Sequence, residues 1–154
     1  MHRRQAIAML GLAAGLKAAP AIRDRFIGVW KLVSYQNKRP NGDVIQVYGP
    51  NPVGRIMYEK SGRMAATLMR PGRKPPQDPR NSTLEELREI QSGFVAYFGS
   101  FDVDEPTQTV IHHVEAALNP AWPGTDLKRS YDFSGDRLTL STGTLTLVWQ
   151  REPD

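Results

Sequence analysis

The feature that most constrains the fold is a series of short runs in which apolar and polar residues alternate. About nine such runs lie between residues 28 and 151, and they are rich in β-branched and aromatic residues. Asn41-Gly42, Ser61-Gly62 and Ser134-Gly135-Asp136 separate consecutive runs, and residues of these types favour tight hairpin turns. Repeated hairpins predict an antiparallel up-and-down sheet, and closing that sheet into a barrel removes its exposed edges.

One segment departs from this alternation. Apolar residues from Leu84 to Phe98 recur every three to four positions, which is typical of a helix. Asn81 or Ser82 could cap its start, because a glutamate follows at the spacing of a capping box. The sequence therefore predicts a mainly β fold, an antiparallel up-and-down barrel of about eight to nine strands with one helix over about residues 82–96.

The N-terminal segment has the layout of an export signal. Arg3-Arg4 precede a short apolar stretch, and Ala19-Pro20-Ala21 ends it as an A-x-A cleavage site would. The paired arginines resemble the twin-arginine type, and the alternative is an ordinary amphipathic helix. We expect a signal over residues 1–21, one barrel domain over residues 22–154, and a periplasmic or secreted location. Without a signal the location would be cytoplasmic.

Charge and cysteine content narrow the classes of function. The chain has 20 basic and 16 acidic residues, and residues 1–21 hold three of the basic ones and no acid. The remaining 17 against 16 give no support for nucleic-acid binding, which needs a clustered basic face. No cysteine is present, which excludes disulfides and thiolate metal sites. Past residue 21 no run approaches the roughly 18 apolar residues of a membrane span, so no membrane insertion is expected after signal removal.

Several motifs resemble those of the bacterial and fungal lipocalin-like domain family. They are "GVWKLVSY", "YGPNPVGRIMY", "GRMAATLMRPGR", "YFGSFDVDE", "HHVEAALNPAWPGTD" and "WQR", and the resemblance covers about residues 25 to 151. It implies an antiparallel barrel with a central cavity, the fold of many carriers and of a few cofactor-free enzymes. It also implies that Arg151 packs across the ring of Trp30, where a guanidinium can make a cation–π contact.

The stretch "IHHVEAALNPAWPGTD" carries the candidate catalytic residues. Side chains alternate along a strand, which places His112 on the apolar face toward the cavity and His113 with Glu115 on the other face. Either histidine could act as an acid or base, with Glu115 or Asp126 orienting it. The alternative is that these groups only hydrogen-bond with neighbouring strands. We predict no metal site, because adjacent histidines on opposite faces do not converge on one ion.

Aromatic, sulfur-containing and cationic residues are candidates for the wall of a cavity. They are Tyr58, Met64, Leu68, Tyr97, Phe101, Trp122, Arg129 and Tyr131. Trp122 lies in a proline-rich loop and could cover the mouth of a barrel, or plug it against the helix. Arg129 could meet an anionic group of a ligand or pair with Asp126. Each of these residues could equally serve simple core packing.

Three functions remain open at this point. The first is binding of a small hydrophobic or aromatic metabolite in the barrel, without a cofactor. The second is a cofactor-independent enzyme, an isomerase, cyclase or lyase that uses histidine–carboxylate chemistry in the same cavity. The third is an interaction module with a filled core, and the sequence also leaves a homodimer open. A cavity would separate the first two functions from the third.

Overall fold

The computed structural model describes residues 20–153, which form nine strands and two short helices. Residues 1–19, most of the expected signal, lie outside the described residues. The helices are α1 (Ile22–Phe26) and α2 (Leu84–Ser92). The strands are β1 (Gly28–Lys38), β2 (Val44–Gln46), β3 (Val53–Tyr58), β4 (Arg63–Met69), β5 (Phe94–Asp104), β6 (Thr109–Ala117), β7 (Asp126–Ser134), β8 (Arg137–Thr142) and β9 (Leu145–Arg151).

Eight of the strands close into an antiparallel barrel. Strands β3 to β9 pair in chain order, β1 pairs with β3, and β9 returns to pair with β1 along most of its length. The short strand β2 adds to the far end of β1 as a ninth strand. The predicted up-and-down barrel is therefore confirmed, and the closing β1–β9 pairing satisfies the backbone edges that an open sheet would expose.

A bulge in β1 interrupts its expected alternation. Trp30 and Leu32 point into the barrel, and Val33 is exposed. The pairing with β9 shifts by one residue between Leu32 and Ser34, and Tyr35 turns inward beside Tyr48. Strict alternation along β1 would place Tyr35 on the exposed face of Val33, and the bulge places it on the other face. A bulge inserts one extra residue, which reverses the facing of every residue after it.

Helix α2 spans residues 84–92 and is shorter than the predicted helix, which covered about residues 82–96. Thr83 is the N-cap: its hydroxyl accepts from the Glu86 amide at 3.2 Å, and the Glu86 carboxylate accepts from the Thr83 amide at 2.8 Å. The predicted caps at residues 81 and 82 are therefore wrong. The helix ends at Ser92, because Phe94 pairs with Met69 and starts β5. Neither described helix is long and apolar enough to cross a membrane.

Helix α1, which the alternation did not predict, fills one end of the barrel with Phe26. The ring of Phe26 is fully buried, with its centroid 4.9 to 5.3 Å from the rings of Tyr58, Tyr131 and Phe133 in edge-on geometry. The Trp30 indole N–H donates to the Phe26 carbonyl at 2.7 Å. Aromatic packing and this hydrogen bond fill the end of the barrel next to α1 with a solid core.

Arg151 fixes α1 to the barrel. Its guanidinium carbon lies 4.1 Å from the centroid of the Trp30 ring, and it donates to the carbonyls of Ile27, at 2.7 Å, and Arg25. A Cβ on Gly28 would lie 2.9 Å from this guanidinium, and Gly28 has φ +126, so a side chain there meets both a contact and backbone strain. The arginine–tryptophan contact implied by the resemblance is present.

Candidate functional site

The opposite end of the barrel is hollow. A cavity of about 270 Å³ opens there, between mostly apolar walls. Its lining residues are Tyr35, Ile56, Ala66, Leu68, Val95, Tyr97, Trp122, Leu127, Arg129, Leu140, Thr142, Leu145, Leu147 and Trp149. Since a dry cavity of about 150 Å³ can hold benzene, this space suits a substituted single aromatic ring or an aliphatic group of similar size.

The predicted ligand-binding residues divide between the two ends of the barrel. Leu68, Tyr97, Trp122 and Arg129 line the cavity. Tyr58, Met64, Phe101 and Tyr131 do not line it and are buried core residues. The rings of Tyr58, Phe101 and Tyr131 pack on Phe26, which occupies the space that a ligand would need at that end. Inward facing was predictable from alternation, whereas the filling of one end by α1 was not.

His112 is fully buried between two tyrosines. Its Nε2 lies 2.8 Å from the Tyr58 hydroxyl and its Nδ1 lies 2.9 Å from the Tyr97 hydroxyl. Burial lowers the pKa of His112 to about 3, helped by the positive charge of Arg129. The imidazole is therefore neutral at pH 7, and one tyrosine donates to it while the other accepts from it. His112 thus links the wall residue Tyr97 to the filled end and is a weak base.

His113 lies on the outer face of the barrel, as the alternation predicts. Its Nδ1 is 2.6 Å from an Asp126 carboxylate oxygen, and its Nε2 is 3.0 Å from an Asp102 oxygen. Hydrogen bonding to Asp126, and then to Asp102, raises the pKa of His113 above its ordinary value. Of the two carboxylates proposed to orient a histidine, Asp126 contacts His113, and Glu115 is not among the contacts of His113. Cross-strand partners lie closer together than residues two apart on one strand, so carboxylates from β5 and β7 reach the imidazole instead.

The four candidate catalytic residues therefore do not converge. His113, Glu115 and Asp126 lie on the outside, and His112 is enclosed below the cavity. Asp126 binds His113, so the alternative pair of Asp126 with Arg129 is not formed. Within residues 20–153, no three histidine or carboxylate side chains are grouped as a metal site would require.

Arg129 brings a positive charge to the cavity wall. It lies on the inward face of β7 between Leu127 and Tyr131, is partly buried, and has no salt-bridge partner within the described part of the chain. Burial raises the pKa of the hydroxyls of Tyr35 and Tyr97, and the nearby charge of Arg129 opposes that rise. Its field thus reaches both sides of the cavity.

Trp149 is a wall residue that the sequence reasoning missed. It is 1% exposed, lines the cavity, and its indole Nε1 has no hydrogen-bond acceptor among residues 20–153. A signal was available, because Leu145, Leu147 and Trp149 alternate on the strand that ends in Arg151. An indole N–H without an acceptor in a buried site is uncommon and costs stability.

Trp122 stands between the cavity and a second hollow of about 200 Å³ beside α2. Its ring is edge-on to Tyr97, with centroids 5.7 Å apart. The loop that carries it is fixed locally, since the Trp122 amide donates to Asn119 at 3.1 Å and its carbonyl accepts from the Thr125 hydroxyl at 2.7 Å. Both hollows share Trp122 and Val95 as wall residues, so Trp122 forms part of the partition between them.

Comparisons with known proteins identify a family, a relative and a solved structure to which the chain is similar. The family model described as a lipocalin-like domain matches residues 27–152. The chain is 38% identical over 87 residues to the 4'-hydroxy-3'-methoxypropiophenone carrier protein of Aspergillus oryzae, a match that covers 51% of this chain and 78% of that protein. A crystal structure of an uncharacterized protein from Bacteroides eggerthii superposes with a TM-score of 0.46 at 13% identity, covering 82% of this chain and 99% of that one.

Proposed function

The chain belongs to the lipocalin-like domain family, and we propose that it binds a small apolar or aromatic molecule in the cavity of its barrel. The observation that carries the proposal is the cavity of about 270 Å³ with mostly apolar walls. Pockets for small molecules combine such walls with a few polar groups that fix orientation. The match to a protein named as a carrier of an aryl ketone supports the same class of ligand.

Aromatic rings in the wall favour an aromatic ligand. Tyr35, Tyr97, Trp122 and Trp149 all line the cavity. Rings prefer edge-on or offset contacts with other rings, and such pairs add to the free energy of apolar burial. An aromatic ligand would thus gain contacts that an aliphatic ligand of equal area would not.

The geometry favours binding over acid–base catalysis. A general base works best with a pKa near the working pH, whereas the pKa of His112 is about 3. His113, whose pKa is raised, faces outward. Among the described residues, no histidine–carboxylate pair lines the cavity. The cavity also argues against the third alternative, an interaction module with a filled core.

The test uses propiophenone as a neutral aromatic probe, with isothermal titration calorimetry of the full chain at pH 7. Ala66 is buried and lines the cavity, while Ala65, next to it on β4, lines hollows on the outer face. We expect the wild type and Ala65→Phe to bind propiophenone, and Ala66→Phe to lose binding while keeping a cooperative melting transition. Equal binding of propiophenone by Ala65→Phe and Ala66→Phe would overturn the proposal, as would a wild type that binds none of propiophenone, cinnamate and cinnamamide.

We also propose that residues 1–21 direct export and are removed. Cleavage after Ala21 would leave α1 intact, and α1 supplies the Phe26 ring that fills the barrel. The intact mass of the protein in a periplasmic fraction tests this. The expected result is the mass of a chain that begins at Ile22. The mass of a chain that still contains Met1 would contradict cleavage.

A further inference from the structure

We propose that the molecule held in the cavity is a monoanion, an aromatic or apolar compound with one carboxylate bound by Arg129. The inference rests on the proposed function and adds the charge and the polar contacts of the ligand. Two observations carry it: Arg129 at the cavity wall has no carboxylate partner within residues 20–153, and the described lining of the cavity includes no acidic side chain.

Arg129 differs from the paired arginines on the outside of the barrel. Arg55 binds Glu152 at 2.8 Å and Arg70 binds Glu89 at 2.6 Å, both at exposed positions. Arg129 lies partly buried at the cavity wall, where pairing would matter more, and no carboxylate of the described residues is within salt-bridge distance. Desolvating a charge costs free energy unless an opposite charge and hydrogen bonds compensate it. A ligand carboxylate would supply both.

The other polar groups of the wall lack a negative charge as well. The guanidinium of Arg129 can only donate hydrogen bonds, whereas the hydroxyls of Tyr35, Tyr97 and Thr142 can donate or accept. Among residues 20–153, no aspartate or glutamate lines the cavity. The wall therefore offers donors in excess, which matches the acceptor-only carboxylate and disfavours amines.

The charge of the cavity limits the ligand to one anionic group. His112 lies next to Tyr97 but is neutral at pH 7, which leaves Arg129 as the one cation identified at the cavity wall. A second carboxylate would enter mostly apolar surroundings without a counter-ion. Carboxylates fit a guanidinium through two parallel hydrogen bonds, so Arg129 can fix both charge and orientation.

The experiment compares cinnamate with cinnamamide, which have nearly the same shape but differ in charge. Both are titrated into the full chain by calorimetry at pH 7 and constant ionic strength. We expect the wild type to prefer cinnamate by at least about tenfold, as the strength of hydrogen bonds to charged groups implies. Arg129→Met, and Arg129→Gln as a second substitution, should bind the two probes equally.

Lys128 gives a matched control, because it is the next residue on β7 and is exposed. Lys128→Met removes one positive charge outside the cavity and should keep the full preference. A wild type that binds the amide as well as the acid would overturn the inference, as would an Arg129→Met variant that keeps the preference or a Lys128→Met variant that loses it. If propiophenone binds and cinnamate binds no better than the amide, the anion is wrong and binding itself stands. If none of the three probes binds, the proposed function fails.

Discussion

Acidification should lower the free energy of unfolding of the barrel because of His112, and replacing His112 should remove this pH dependence. The folded pKa of His112 is about 3, below its ordinary value of 6.5, because its imidazole is buried between two tyrosines. Between these two values the unfolded chain binds a proton that the folded chain does not. Stability rises with pH wherever the unfolded state binds more protons, so the contribution of His112 is complete above about pH 6.5 and is lost as the pH falls toward 3.

The magnitude follows from the two pKa values. At pH 5 the unfolded imidazole is almost fully protonated, and the folded one is almost fully neutral. Each unit between the working pH and the unfolded pKa lowers the free energy of unfolding by about 1.4 kcal/mol, so the change from pH 7 to pH 5 amounts to about 2 kcal/mol. Aspartates and glutamates titrate mostly below pH 5 and contribute little in this window.

Urea unfolding, followed by tryptophan fluorescence at pH 7, 6 and 5, measures the effect. His112→Gln keeps groups that can donate to and accept from Tyr58 and Tyr97 but does not titrate. The comparison is between the single variant His113→Gln and the double variant His112→Gln/His113→Gln. Both carry His113→Gln, because the stabilising effect of His113 changes with pH in the opposite direction. We expect the single variant to lose about 2 kcal/mol more than the double variant between pH 7 and pH 5. Equal losses in the two proteins would refute a neutral, buried His112.

Two further predictions concern the outer face of the barrel. Hydrogen bonds to Asp126 and Asp102 raise the folded pKa of His113, so its stabilising effect is complete below pH 6.5 and is lost as the pH rises through the folded value. His113→Gln should therefore lower the free energy of unfolding more at pH 6 than at pH 9. The difference should be less than about 1 kcal/mol, because His113 and its two carboxylate partners are solvent-exposed. Urea unfolding that shows a larger loss at pH 9 would contradict this prediction. A Cβ on Gly99 would lie 1.9 Å from the His113 carbonyl oxygen. Gly99→Ala should therefore lower the free energy of unfolding by at least about 2 kcal/mol. A melting temperature equal to that of the wild type would contradict so close an approach.

Most of the fold was predictable because strand periodicity dominates the sequence. The nine strands lie between residues 28 and 151, where about nine alternating runs predicted them, and Thr109 to Ala117 alternates as predicted around His112 and His113. The helix was too long in the prediction because Phe94 and Phe98 fit both a helical spacing and an alternating strand. Pairing of β5 with β4 decided between them, and such pairing is a long-range contact that local spacing does not contain.

The site was less predictable because its position depends on two irregular features. The bulge at Val33 turns Tyr35 into the cavity, and nothing in a strict alternation signals an inserted residue. Phe26 lies in a short helix before the first strand and fills the end where Tyr58 and Phe101 were expected to meet a ligand. Sequence reasoning identified side chains that face inward but not the half of the barrel that stays open.

The contrast between the filled and the hollow end has an evolutionary consequence. The aromatic cluster around Phe26 and the Arg151–Trp30 contact hold the barrel closed at one end. Partly buried residues at the other end, such as Leu127 and Leu147, can therefore change at a smaller cost to folding than the fully buried residues of the core, since they only pack against that core. The same architecture can diversify its ligands, and it offers a scaffold for sensors in which the wall of the open end is redesigned and the closed end is left untouched.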